Sequence, residues 1–128
     1  MKKLFEPVSI GSLSIRNRFL KAATYEGRAT PEGELTPELM QLYLQWARGG
    51  AGAIITGYAY VMQNEQPNPR MLGIYDDRFI SHYQGFTDAI HAAGSRVILQ
   101  IVYGGSQNGK IMWKNSEGKT IKDLIEGK

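Results

Sequence analysis

The chain has 128 residues, 42% apolar and 21% charged, which suits one folded domain with a single core and excludes a chain disordered throughout. Its net charge of +3 is too small to argue for a nucleic-acid partner, and five lysines crowded into residues 109–128 account for part of the excess. There is no cysteine, so disulfides, thiolate metal sites and cysteine nucleophiles are excluded, and no apolar run approaches the roughly 20 residues that span a bilayer.

The opening MKKLFEPVSIG has two lysines, but Glu6 and Pro7 interrupt any apolar run of a signal peptide. A cytoplasmic protein without a membrane partner is expected. Residues 7–15, PVSIGSLSI, alternate apolar Val8, Ile10, Leu13 and Ile15 about Gly11-Ser12 and predict a small β-hairpin. NRFLKAAT (17–24) predicts a strand, with Lys21 as its odd member. The Gly- and Pro-rich segment 25–35 predicts a loop.

Thr36 then suits a helix N-cap, Pro37 the first helical position and Glu38 the positive end of the dipole. Leu39, Tyr43, Trp46 and Ala47 recur at helical spacing up to Gly49-Gly50. GAIITG (52–57) predicts a short buried strand, and 58–75 a long loop. Asp76 or Asp77 suits the cap of a second helix, whose buried face would carry Phe79, Tyr83, Phe86, Ile90 and Ala93. Gly94 ends it, and the apolar run Val97–Tyr103 predicts a third strand, buried on both faces.

Hairpin, β, α, β, α, β implies parallel strands with helical crossovers. Either the start of a (β/α)₈ barrel or a doubly wound sheet satisfies this order. Neither G-x-G-x-x-G after the first strand nor G-x-x-x-x-G-K-[ST] occurs. Long loops after each strand fit the barrel, which builds its sites there.

The candidate chemistry lies at the carboxyl ends of the strands: Ala22, Ala23, Thr24 and Tyr25; Thr56, Gly57 and Tyr58; Gln100 and Tyr103. Ala22, Ala23 and Gly57 are small enough to let a flat ligand approach the backbone. A buried amide at Gln100 would cost roughly 1–3 kcal/mol without a partner. Neighbouring backbone or a buried water can satisfy it. So can a ring edge that alternates carbonyl and N–H, as a flavin pyrimidine does. Tyr25, Tyr58 and Tyr103 equally suit packing with a wet hydroxyl. Lys21 suits a snorkelling or paired charge, His82 and His91 suit surface positions, and Arg16-Asn17-Arg18 suits a structural strand entry.

The blocks LFEPVSIGSLSIRNRFLKAAT, GELTPELMQLYLQWARGGAGAIITGYAYV and VILQIVYGGSQ, in this order, resemble the N-terminal part of the Old Yellow Enzyme family over residues 4 to 107. The resemblance implies an FMN-dependent NAD(P)H oxidoreductase on a TIM (β/α)₈ barrel, passing hydride to an activated alkene or similar small-molecule acceptor. It implies flavin contacts from Ala22, Ala23 and Thr24, and a backbone N–H from Gly57 or Tyr58 to a flavin carbonyl. Gln100 would bond the pyrimidine ring. Tyr25 sits where many relatives carry Thr, Cys or His near the redox-active edge, which makes it the candidate catalytic residue. Tyr103 aligns near a residue that lines the substrate side.

A full barrel takes roughly 200 residues or more. The chain is therefore expected to hold N-terminal (β/α) units of an incomplete barrel at 1–107, then a divergent tail at 108–128 in which KTIKDLIEGK can form a short helix. Open sheet edges predict a homo-oligomer or a swapped assembly. FMN is expected to bind weakly or not at all without the phosphate site of the later strands. Two other readings stand beside this one. One is an inactive fragment that serves as a structural or oligomerising module. The other is a different barrel that takes a phosphorylated metabolite.

Overall fold

The computed structural model describes residues 2–105; the helix expected in the tail lies outside them. A 3₁₀ turn at Lys2–Phe5 leads into β1 (Val8–Ile10) and β2 (Leu13–Ile15), an antiparallel hairpin pairing Val8 with Ile15. Gly11 turns it at φ +58°, a left-handed conformation open to glycine. Ile15 is buried, whereas Ile10 is exposed.

Strand β3 is only Leu20–Lys21, shorter than the sequence suggests. The reason lies in Asn17. Its Nδ2 donates to the Gly50 carbonyl at 2.7 Å, and its Oδ1 accepts from the Phe19 N–H at 3.1 Å, so a side chain takes the place of a strand ladder.

Helix α1 spans Pro37–Arg48. Thr36 caps it as expected, accepting from the Leu39 N–H at 3.1 Å. Its buried residues are Leu39, Tyr43, Leu44 and Ala47. Trp46 is half-buried instead, with the Lys21 ammonium 4.2 Å above its ring. Strand β4 (Ala53–Ile55) follows, pairing in parallel with β3.

The stretch 58–75 is not simply a loop. It holds β5 (Ala59–Tyr60) and β6 (Leu72–Gly73), which pair in parallel. The Asp76 carboxyl then accepts from the Arg78 N–H at 2.9 Å and starts a 3₁₀ turn, Asp77–Phe79, that runs into α2 (Ile80–Ala92). Phe79, Phe86 and Ile90 are buried, and Gly94 at φ +84° ends the helix.

The third predicted strand is two: β7 (Arg96–Ile98) and β8 (Ile101–Val102). The orders are β3-β4-β7 and β6-β5-β8, all parallel, and the sheets are not closed among the described residues. One cluster joins Leu39, Tyr43, Leu44 and Ala47 of α1, Phe86 and Ile90 of α2, and Ile54 of β4, with Val97 and Leu99 packed against it. Each large side chain so buried contributes about 1.5–3 kcal/mol. Both helices therefore cover the same face of the sheet, the single winding of a barrel rather than the double winding of an open sheet.

Candidate functional site

Lys21 pairs with Ile54, and Ile54 with Val97. The segments Ala22–Thr24, Thr56–Tyr58 and Leu99–Gln100 therefore leave the sheet side by side. Neighbouring strands stand about 4.8 Å apart, so the three tips form a ledge about 10 Å wide.

Gln100 departs from expectation. It is exposed, not buried. Val97 and Leu99 lean on the helices, while Ile98 and Gln100 belong to the opposite face of the strand. That face is open at Ile98, which is 39% exposed, and in β8 Ile101 is 64% exposed. The apolar run is thus half-buried, because both helices lie on one side. The Gln100 backbone is engaged: its N–H donates to the buried Thr56 hydroxyl at 3.1 Å, and its carbonyl accepts from the Ala59 N–H at 2.8 Å. The Thr56 hydroxyl interrupts the ladder here and divides β7 from β8. The Gln100 side-chain amide has no hydrogen-bond partner among the described residues.

Ala22 and Thr24 are exposed and Ala23 is half-buried. Lys21 Nζ donates to the Ala22 carbonyl at 2.7 Å rather than to a carboxylate. Tyr25 stacks on Tyr58, with centroids 6.1 Å apart and planes 17° from parallel. Its hydroxyl donates to the Pro69 carbonyl, and the Tyr58 hydroxyl accepts from Asn68 Nδ2. Tyr103 is exposed.

Gly57 is buried, and its N–H donates to the Tyr43 hydroxyl at 2.9 Å. A Cβ there would overlap a Glu26 carboxyl oxygen and lie 2.6 Å from the Thr24 carbonyl oxygen. The space that its missing side chain leaves is filled by the chain itself, not left open to a flat ligand. The Tyr43 hydroxyl in turn donates to Glu26 Oε1 at 2.6 Å. Burial first, and the Glu26 carboxyl second, push the Tyr43 phenol well above its ordinary range. Sequence reasoning listed Thr56 among the strand-end residues but missed Glu26 and Tyr43 as polar partners of the ledge. A tyrosine within a buried helical stripe was the available signal, because its hydroxyl needs a partner.

Arg16 lies at the other end of the strands. Its guanidinium donates to the carbonyls of Ala47, Ala51 (3.0 Å) and Ala93 (3.1 Å) and to the Ser95 hydroxyl (3.2 Å). It closes the carboxyl ends of both helices, the structural role its position suggested. His82 and His91 are exposed. No group of three His, Cys, Asp or Glu that could hold a metal occurs among the described residues, and no described helix is long and apolar enough to cross a membrane.

Residues 3–120 match the model of the NADH:flavin oxidoreductase / NADH oxidase family. The chain belongs to that family. It is 35% identical over 107 residues to the N,N-dimethylglycine/sarcosine dehydrogenase of Chromohalobacter salexigens, covering 82% of this chain and 15% of that protein. It is also 35% identical over 102 residues to the 4,4'-dithiodibutanoate disulfide reductase of Rhodococcus erythropolis, covering 80% and 25%. Among solved structures, a variant of NCR, the old yellow enzyme homologue from Zymomonas mobilis, superposes with a TM-score of 0.70 at 31% identity over 80% of this chain and 33% of that one. Morphinone reductase in complex with tetrahydroNAD gives 0.66 at 33% identity over 77% and 26%. The chain thus corresponds to the N-terminal portion of the Old Yellow Enzyme barrel and spans a third or less of these relatives' lengths.

Proposed function

We propose that this chain forms the part of an FMN-dependent NAD(P)H oxidoreductase that holds the pyrimidine side of the flavin, acting in the cytoplasm. The observation that carries the reading is the exposed Gln100 amide, without a partner among the described residues, on a ledge made by three adjacent strand ends. A carboxamide both donates and accepts, which suits a ring edge where carbonyl and N–H alternate. Backbone of Ala22, Ala23 and Thr24 would meet the ring from β3. The Gly57 amide is committed to Tyr43, which leaves the Tyr58 amide to face a flavin carbonyl. The Tyr25–Tyr58 stack would bound the ledge, and Tyr25 would lie nearest the reacting edge. The chemistry supplied by FMN when bound is hydride transfer from NAD(P)H to an activated alkene or similar small molecule. Family membership and a cysteine-free composition accord with this reading and with the cytoplasm.

Titrating FMN with the 128-residue chain tests it. Flavin fluorescence should be quenched, and Gln100→Leu should weaken the interaction about tenfold with far-UV circular dichroism unchanged. Quenching that Gln100→Leu leaves unaltered rejects the reading.

A second reading is a module that associates with itself. Exposed Leu20, Ile98 and Ile101, and strand edges at β3, β7, β6 and β8 without partners among the described residues, favour it. Light scattering should find a homo-oligomer or swapped assembly; a monodisperse monomer rejects it.

A further inference from the structure

We infer that Glu26 and Tyr43 form a positioning latch that fixes the first strand end of the ledge against the second. The consequence for flavin rests on the reading proposed above; the latch itself does not. Tyr43 is fully buried on α1, its ring edge-on to Trp46 and to Phe86 with centroids 5.1 Å away in each case. That packing leaves the phenol little freedom, so its oxygen is a fixed point. The oxygen accepts from the Gly57 N–H at 2.9 Å and donates to Glu26 Oε1 at 2.6 Å. The other Glu26 oxygen lies against Gly57, and so does the Thr24 carbonyl, close enough that a Cβ would overlap them. Three segments distant in sequence therefore meet at one hydroxyl: the run after β3, the middle of α1 and the tip of β4.

The spacing of Ala22–Thr24 from Thr56–Tyr58 is set here, by a contact that faces away from the ledge. Such a residue touches no ligand but holds the groups that do. A latch differs from ordinary core satisfaction in where its loss is felt. Tyr83 provides the comparison: its part-buried hydroxyl donates to the Gly73 carbonyl at 3.0 Å, away from the strand ends.

The test measures amide hydrogen exchange by NMR and FMN affinity on the same 128-residue chains. Tyr43→Phe should speed exchange at Gly57 roughly tenfold or more and weaken FMN by a similar factor. Glu26→Ala should move both in the same direction, and Glu26→Gln, which keeps an acceptor oxygen, should restore both to within about twofold. Tyr83→Phe should lower thermal stability yet leave Gly57 exchange and FMN affinity unchanged. If Tyr43→Phe leaves Gly57 exchange unaltered, or Tyr83→Phe alters it as much, the latch is wrong. Should Tyr43→Phe fail to fold, Glu26→Ala against Glu26→Gln decides. If the unaltered chain takes no FMN, Gly57 exchange alone judges the latch.

Discussion

The two ends of the β3-β4-β7 sheet are built on opposite plans. At the amino end Arg16, Asn17 and Ser95 tie strand entry to the ends of both helices, and their donors are spent on neighbouring carbonyls. At the carboxyl end the Gln100 amide is exposed without a partner among the described residues, and the bonds that tie the first two tips together at Tyr43 lie beneath them. An end that satisfies itself contributes stability. An end that leaves donors and acceptors in reach of solvent is available to a ligand.

Alkaline pH should separate the two ends most strongly. Beneath the carboxyl end, burial pushes the Tyr43 phenol well up from its ordinary value of 10, and burial raises those of Tyr60 and Tyr83 elsewhere in the core as well. A pKa raised in the folded state means the unfolded chain releases protons first. The stability these groups contribute is therefore intact below pH 10 and is lost as pH rises through the folded pKa values. Melting temperature measured across this range should fall steadily past pH 10, and tyrosinate absorbance should show these phenols ionising only as the chain unfolds.

Arg16→Ala should come next, at about 2–3 kcal/mol, because several carbonyls at the helix ends lose one shared donor. Denaturant unfolding reads that loss. Thr36→Ala removes the cap of α1 and should cost about 1 kcal/mol by the same measurement. Gln100→Leu should change stability least, within about 0.5 kcal/mol, since its amide is exposed. A large loss there would erase the contrast between the ends and make the amide structural.

Legibility in the sequence followed the range of the interaction. Helix α1 was readable because Thr36-Pro37 and Gly49-Gly50 act within a few residues of themselves. The hairpin was readable because Gly11 sits midway between two alternating runs. Strands β5 and β6 were not, since two-residue strands exist only through partners elsewhere in the chain. The break between β7 and β8 depends on the Thr56 hydroxyl, 44 residues away. Of the ledge, the strand ends were foreseen; Glu26 and Tyr43 were not, because their bond joins a loop to a helix 17 residues on.

By itself the sequence determined the hairpin, the limits of α1 and the order in which three main strand regions and two helices follow, all consequences of local backbone preference and apolar spacing. Only the tertiary structure decided which face of each strand is covered. Both helices pack on one side, and that places the Gln100 amide in the open and the Tyr43 hydroxyl under the strand tips. Burial is a property of the assembled layers, and no short stretch of residues encodes it.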